Sequence, residues 1–70
     1  MKNIITKREK EIFQLLIENK STKEISYILN ISEKTVRNHI SNVIQKLGVK
    51  SRSQALLELI RMNEIKLKWE

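Results

Sequence analysis

The apolar positions of this chain recur at helical spacing almost from end to end. From residue 33 to 47, Val36, Ile40, Val43, Ile44 and Leu47 follow at steps of 4, 3, 1 and 3. That is a single stripe on an α-helix. Ser32 before it is a good N-cap, since its hydroxyl can accept from a free N–H of the first turn. Glu33 then puts negative charge where the helix dipole favours it. Gly48 accepts the left-handed conformation that ends many helices.

Three further helices read the same way, so the predicted class is all-α, with helices over about 7–18, 22–29, 33–47 and 52–62. Thr6 and Glu9 have capping-box spacing, with Ile5 as a staple in front. Ile12, Phe13, Leu15 and Leu16 face inward, Lys7, Lys10 and Glu18 face water, and Asn19 is a suitable left-handed stop. Ser21 and Glu24 make a second box. Ile25, Ile28 and Leu29 form the apolar side of that short helix, and Ser26 suits a close helix approach. Residues 30–32 make a three-residue turn in which Ile31 plugs the core. Ser51 and Gln54 make a third box. Ala55, Leu56, Leu59 and Met62 have core spacing, whereas Leu57 and Ile60 lie off that stripe. A monomer has no need of apolar residues on a second side, so a dimer through this helix is expected over ordinary exposure. Asn63 ends the helix. In the tail, Ile65, Leu67 and Trp69 alternate with polar residues, which suits packing on helix 1, packing on a partner, or fraying. The organisation expected is a lead over 1–5, one domain over 6–65 and a tail over 66–70.

A short helix, a three-residue turn and a longer helix make a helix-turn-helix, whose second helix enters the DNA major groove. Here that helix turns Lys34, Arg37, Asn38, Ser41, Asn42 and Gln45 away from its apolar stripe. Cations, amides and a hydroxyl bond to base edges and phosphates. Most polar helix faces are only solvated, so the rest of the chain must decide. Lys23 lies at the start of helix 2, where free N–H groups already suit a phosphate.

Composition favours the nucleic-acid reading. Fourteen Lys and Arg oppose eight acids, giving +6 and a pI near 9.9. A small domain with that balance suits a polyanion. A membrane-surface helix would call for more aromatics than Phe13, Tyr27 and Trp69, and so would stacking on single strands. The absence of Cys excludes a disulfide scaffold and a Cys-based zinc site. One histidine builds no metal site, so no cofactor is expected. With no Asp, the chain offers no phosphorelay acceptor. No run approaches the roughly 18 apolar residues of a membrane span. Ile4-Ile5 is too short for a signal peptide, so a cytoplasmic location is expected. A chain this small buries a modest core, which dimerisation would support.

The motifs run Ile5-Thr6-Lys7-Arg8-Glu9-Lys10-Glu11-Ile12-Phe13, Ser21-Thr22-Lys23-Glu24-Ile25, Ile31-Ser32-Glu33-Lys34-Thr35-Val36-Arg37-Asn38-His39, and Lys46-Leu47-Gly48-Val49 followed by Ser51-Arg52 and Ala55. Together they closely resemble the LuxR-type helix-turn-helix family over about residues 5–65. The chain looks most like the stand-alone members of endospore formers, which act late in sporulation on spore-coat genes. The resemblance implies a four-helix transcription regulator that binds double-stranded DNA over inverted half-sites. It implies a homodimer through helix 4, which would bring Leu56, Leu57, Ile60, Arg61 and Glu64 to the interface. RNA polymerase is a candidate partner for an activator of this type, and no small-molecule ligand is expected. Such a regulator works on the nucleoid, in the mother cell for a sporulation gene. By position, Arg37, Asn38 and Ser41 would face base edges with Asn42 beside them. Lys23, Lys34, Thr35, Lys46, Lys50 and Arg52 would meet phosphates. The chain departs from the family's pattern at Asn19 and Asn63, where Gly is usual, and at Ser26, where Ala is usual. Ser41 stands where a basic residue would add affinity.

His39 borders the apolar stripe and follows the reading pair. A hydrogen bond to backbone or phosphate suits it better than catalysis, since no acid or nucleophile accompanies it. Trp69 reads as a packing residue, and Ser21, Ser32 and Ser51 read as caps. A small helical adaptor of the transcription machinery, using Leu57, Ile60 or the tail, is the alternative from another class; the effector domain of a different bacterial regulon is a second. No acid–base pair, metal cluster or phosphate loop supports an enzyme.

Overall fold

The computed structural model describes residues 4–67. Along them run α1 (Lys7–Ile17), α2 (Thr22–Leu29), α3 (Glu33–Leu47) and α4 (Arg52–Arg61), with no strand among the described residues. The expected elements are all present. α1 and α4 each stop one residue early, where Glu18 and Met62 act as caps.

The helix starts follow from local chemistry. The Thr6 hydroxyl accepts the Glu9 N–H at 3.1 Å while the Glu9 carboxylate accepts the Thr6 N–H at 2.8 Å. Ser21 and Glu24 repeat the exchange at 3.0 and 2.8 Å. The third expected box is only half formed. Ser51 Oγ accepts from the Gln54 N–H at 3.2 Å, but Gln54 Oε1 accepts from Lys50 instead of Ser51, at 2.7 Å. The reason is backbone rotation: Ser51 has φ −152°, against −80° at Thr6 and −77° at Ser21. That turn swings the Ser51 N–H away and presents its neighbour's.

All four helices end alike. A residue at positive φ follows each: Asn19 (69°), Asn30 (58°), Gly48 (68°) and Asn63 (62°). The next N–H then reaches back five residues, as Lys20 to Leu15, Ile31 to Ser26, Val49 to Ile44 and Glu64 to Leu59. This is the Schellman closure, which satisfies carbonyls the helix leaves open. Asn30, by sequence only part of a turn, is the same device.

α3 packs against all three other helices. Its Val36, Ile40 and Val43 meet Ile12 and Phe13 of α1, Ile25 of α2, and Ala55 and Leu59 of α4 in one buried cluster. Ile5 and Ile65 complete that core. The packing corrects three apolar expectations. Ile60, expected off the core, packs partly against it. Ala55, Leu56, Leu59 and Ile60 together define the buried side, one residue round from the predicted stripe. Met62 is 36% exposed, because α4 ends before it. Ile28 is 50% exposed, where it borders two open depressions on the surface. Leu15 and Leu16 face inward as expected, packing half-buried against the cluster.

Over the described residues the tail packs on helix 1 as far as Lys66, while Leu67 is 48% exposed. Ile65 is buried. Lys66 donates its N–H to Gln14 Oε1 at 3.1 Å and accepts from Gln14 Nε2 at 3.0 Å. One amide side chain thus imitates a strand partner for the tail. Trp69 lies outside the described residues.

Candidate nucleic-acid interface

The polar side of α3 stands clear of the core. Lys34, Arg37, Asn38, Ser41, Asn42 and Gln45 lie on it, all six exposed, while Val36, Ile40 and Val43 on the other side are buried. The helical period alone produces this split. Four of those side chains, Arg37, Asn38, Ser41 and Asn42, form a compact patch around the middle of the helix.

Two other elements bring charge to this face. A shallow groove between α3 and the start of α4 is lined by Arg37, Ile40, Ser41, Ile44 and Arg52. Arg52 therefore stands beside two of the base-reading candidates. At the other end, a broad depression along α2 and the turn after it is bordered by both Lys23 and Glu33. Lys50 stands in the loop before α4. Among the described residues, Lys23, Lys34, Lys50 and Arg52 have no carboxylate partner; the ion pairs lie elsewhere. These four cations are free to meet phosphate.

Arg37 is lightly held. Its guanidinium lies 3.4 Å from Glu33 Oε1 one turn back, with both side chains largely in water. Such a pair contributes only about 0.3–0.5 kcal/mol. It orients the arginine along the helix without locking it. Thr35 is tied to the cap: Ser32 Oγ accepts its N–H at 3.0 Å and donates to its Oγ1 at 2.9 Å. The Thr35 hydroxyl proton is left over for an outside acceptor.

Lys46 is placed differently from the other phosphate candidates. Its ammonium sits 2.7 Å from Glu9 Oε1, and Glu9 is 3% exposed. By sequence Glu9 is only a capping acid. The signal that could have found the pair is register: Glu9, Ile12, Phe13 and Leu16 share one helical face, and an acid on an apolar face needs a buried partner. Burial pushes the Glu9 carboxyl up, but the Lys46 ammonium and the Thr6 N–H outweigh it and hold the pKa below the ordinary carboxylate value. At Glu24 the Ser21 N–H, then its hydroxyl, has the same effect.

The His39 Nδ1 is shut from solvent without a hydrogen-bond partner, so of the two expected partners, backbone or phosphate, the backbone does not serve that nitrogen. On α4, Leu57 is 63% exposed and Arg61 is exposed, paired with Glu58 at 3.4 Å. Leu56 and Ile60 are partly withdrawn into the core, and Glu64 lies 3.9 Å from Lys10. The expected dimer residues are thus only partly gathered on one surface. Among the described residues no cluster of three or more His, Cys, Asp or Glu side chains could hold a metal. No helix among them is long and apolar enough to cross a membrane.

Comparison with known proteins agrees with this geometry. Residues 3–59 match the family of bacterial regulatory proteins of the luxR type, named for GerE. The chain is 65% identical over 66 residues to the spore germination protein GerE of Bacillus subtilis (strain 168), covering 94% of this chain and 89% of that one. It is 44% identical over 66 residues to the transcriptional regulatory protein DegU of Brevibacillus brevis, but spans only 28% of that longer protein. A solved structure of the transcription factor GerE superposes with a TM-score of 0.93 at 64% identity, covering 96% of this chain and all of that one.

Proposed function

Because the chain belongs to the luxR family of bacterial regulatory proteins, we propose that it controls spore-formation genes as a dimer bound to inverted DNA half-sites. That it is a DNA-binding transcription regulator follows from the family and from its kinship with GerE and DegU. The sporulation programme rests on the GerE likeness, which extends over nearly the whole of both chains. It acts on chromosomal DNA in the cytoplasm.

One observation carries the reading mechanism: the patch of Arg37, Asn38, Ser41 and Asn42 on α3, flanked by cations without internal partners. With α3 in the major groove, Arg37 takes guanine in a two-bond fork and Asn38 takes adenine. Ser41 and Asn42 read neighbouring edges. Lys23, Lys34, Thr35, Lys50 and Arg52 hold phosphates and so fix the register without reading sequence. Lys46 belongs to the fold's own ion pairing and not to this set. Leu57, with Arg61 beside it, forms the centre of the α4 dimer contact.

Selection of bound DNA from a random pool, at about 150 mM salt, tests this with wild type and Arg37→Ala in parallel. An enriched inverted repeat that loses one position per half-site in the variant is expected. Identical enrichment for both proteins would overturn the Arg37 assignment.

A further inference from the structure

We propose that the Glu9–Lys46 pair is a positioning device that sets the roll of α3 in the groove, so that sequence specificity depends on two residues that touch no DNA. The proposal rests on α3 being the base-reading helix.

The apolar stripe of α3 holds the helix against the core, but apolar contact is non-directional. Val36, Ile40 and Val43 hold the helix to the core, and a directional bond adds a constraint on its rotation that apolar contact by itself lacks. A charged hydrogen bond is directional. Among the described residues, Lys46–Glu9 is the one ion pair linking α3 to another element, and it lies at the last turn. It is also short, 2.7 Å, and Glu9 is the one buried charged residue among those described.

The anchor itself is rigid. Glu9 Oε1 accepts both the Lys46 ammonium and the Thr6 N–H, at 2.7 and 2.8 Å. The oxygen that holds α3 is therefore the one that starts α1. Lys46 lies nine residues beyond Arg37, about 13 Å along the axis at the ordinary helical rise. Base-reading groups tolerate only about 0.5 Å or 10–20° of displacement. A side chain as long as arginine amplifies any roll of the helix that carries it. Releasing the pair should thus blur base reading before it weakens the hold on phosphate.

The test compares wild type, Lys46→Met, Lys46→Arg and Glu9→Gln on the selected site and on random duplex, over a series of salt concentrations. Removing one lysine–phosphate interaction lowers the slope of log K against log salt by about 0.9. If Lys46 positions α3, Lys46→Met keeps the wild-type slope and lowers the ratio of specific to random affinity about tenfold. Lys46→Arg, which can still reach Glu9, recovers most of that ratio. Glu9→Gln keeps the cap acceptor, so it tests the same link with the helix start intact, and it too lowers the ratio at unchanged slope. A fall of about 0.9 in slope for Lys46→Met, with both DNAs weakened alike, would make Lys46 a phosphate ligand and overturn the proposal. A rise in slope for Glu9→Gln, from a freed lysine reaching phosphate, would overturn it as well. So would unchanged ratios in both. If wild type itself shows no preference, the DNA-reading assignment fails, which is a separate result.

Discussion

On the proposed function, single side chains on α3 divide into those that read and those that hold. Arg37→Ala should cost about 1–3 kcal/mol of discrimination at one base pair per half-site, measured by titrating operators changed at that position. Lys34→Ala or Lys50→Ala should weaken all sequences nearly alike and lower the salt slope by about 0.9 each; a loss confined to one base pair would contradict the phosphate role. The carboxylates give a pH signature. Glu9 and Glu24 have pKa values below their ordinary 4.5. The folded chain therefore binds fewer protons than the unfolded chain in the acid range, so stability rises with pH there. Their contribution is fully present above about pH 4.5 and is lost as pH falls through the lower folded values. Urea unfolding of wild type and Glu9→Gln across the acid range checks the sign: the variant should show the shallower dependence. The reading face is visible from spacing alone because its residues are near neighbours in sequence. Glu9 is half visible, since its bond to Thr6 spans three residues and its bond to Lys46 spans 37.

At the scale of the element, the four helix ends provide an internal comparison. Three use Asn at positive φ and one uses Gly. Gly48 has nothing within 4 Å of where a Cβ would sit, so space does not select glycine there; its φ of +68° does. Gly48→Ala should cost about 1 kcal/mol, and Gly48→Asn distinctly less, as Asn already serves at the sister positions. Thermal unfolding of the two variants decides it; equal losses would mean that Gly48 matters for some other reason. α4 carries the second prediction at this scale. Leu57→Glu should convert a dimer to a monomer in sedimentation equilibrium and leave helical content unchanged. Spacing alone misplaces Ile60 and Met62 because a short amphipathic helix with apolar residues on two sides has no unique inward direction. Where the chain stops being helical, and what lies opposite, settles it.

For the molecule as a whole, a seventy-residue chain folds on a small margin. Residues beyond α4 then matter more than their number suggests. Ile65 is 1% exposed and the Gln14–Lys66 exchange secures it to α1. Ile65→Ala should cost about 2–5 kcal/mol, a large part of the total, read as a fall in the urea midpoint at unchanged slope. The net charge of +6 acts at this scale too. It favours any duplex at the surface, and on the proposed function the α3 patch sorts one duplex from another. What the sequence by itself determined is what depends on neighbours within about a turn: four helices, their caps, their left-handed ends, the apolar and polar sides of α3, and the motif order that marks the family. These are short-range consequences of hydrogen bonding and helical period. What only the tertiary structure decided lies between residues far apart in the chain. It paired Lys46 with Glu9, set Arg52 beside Arg37 and Ser41, drew Ile60 toward the core, and bound the tail to Gln14. Each depends on which surfaces meet when the helices pack, and burial then fixes the partner that a charge or a polar group must take.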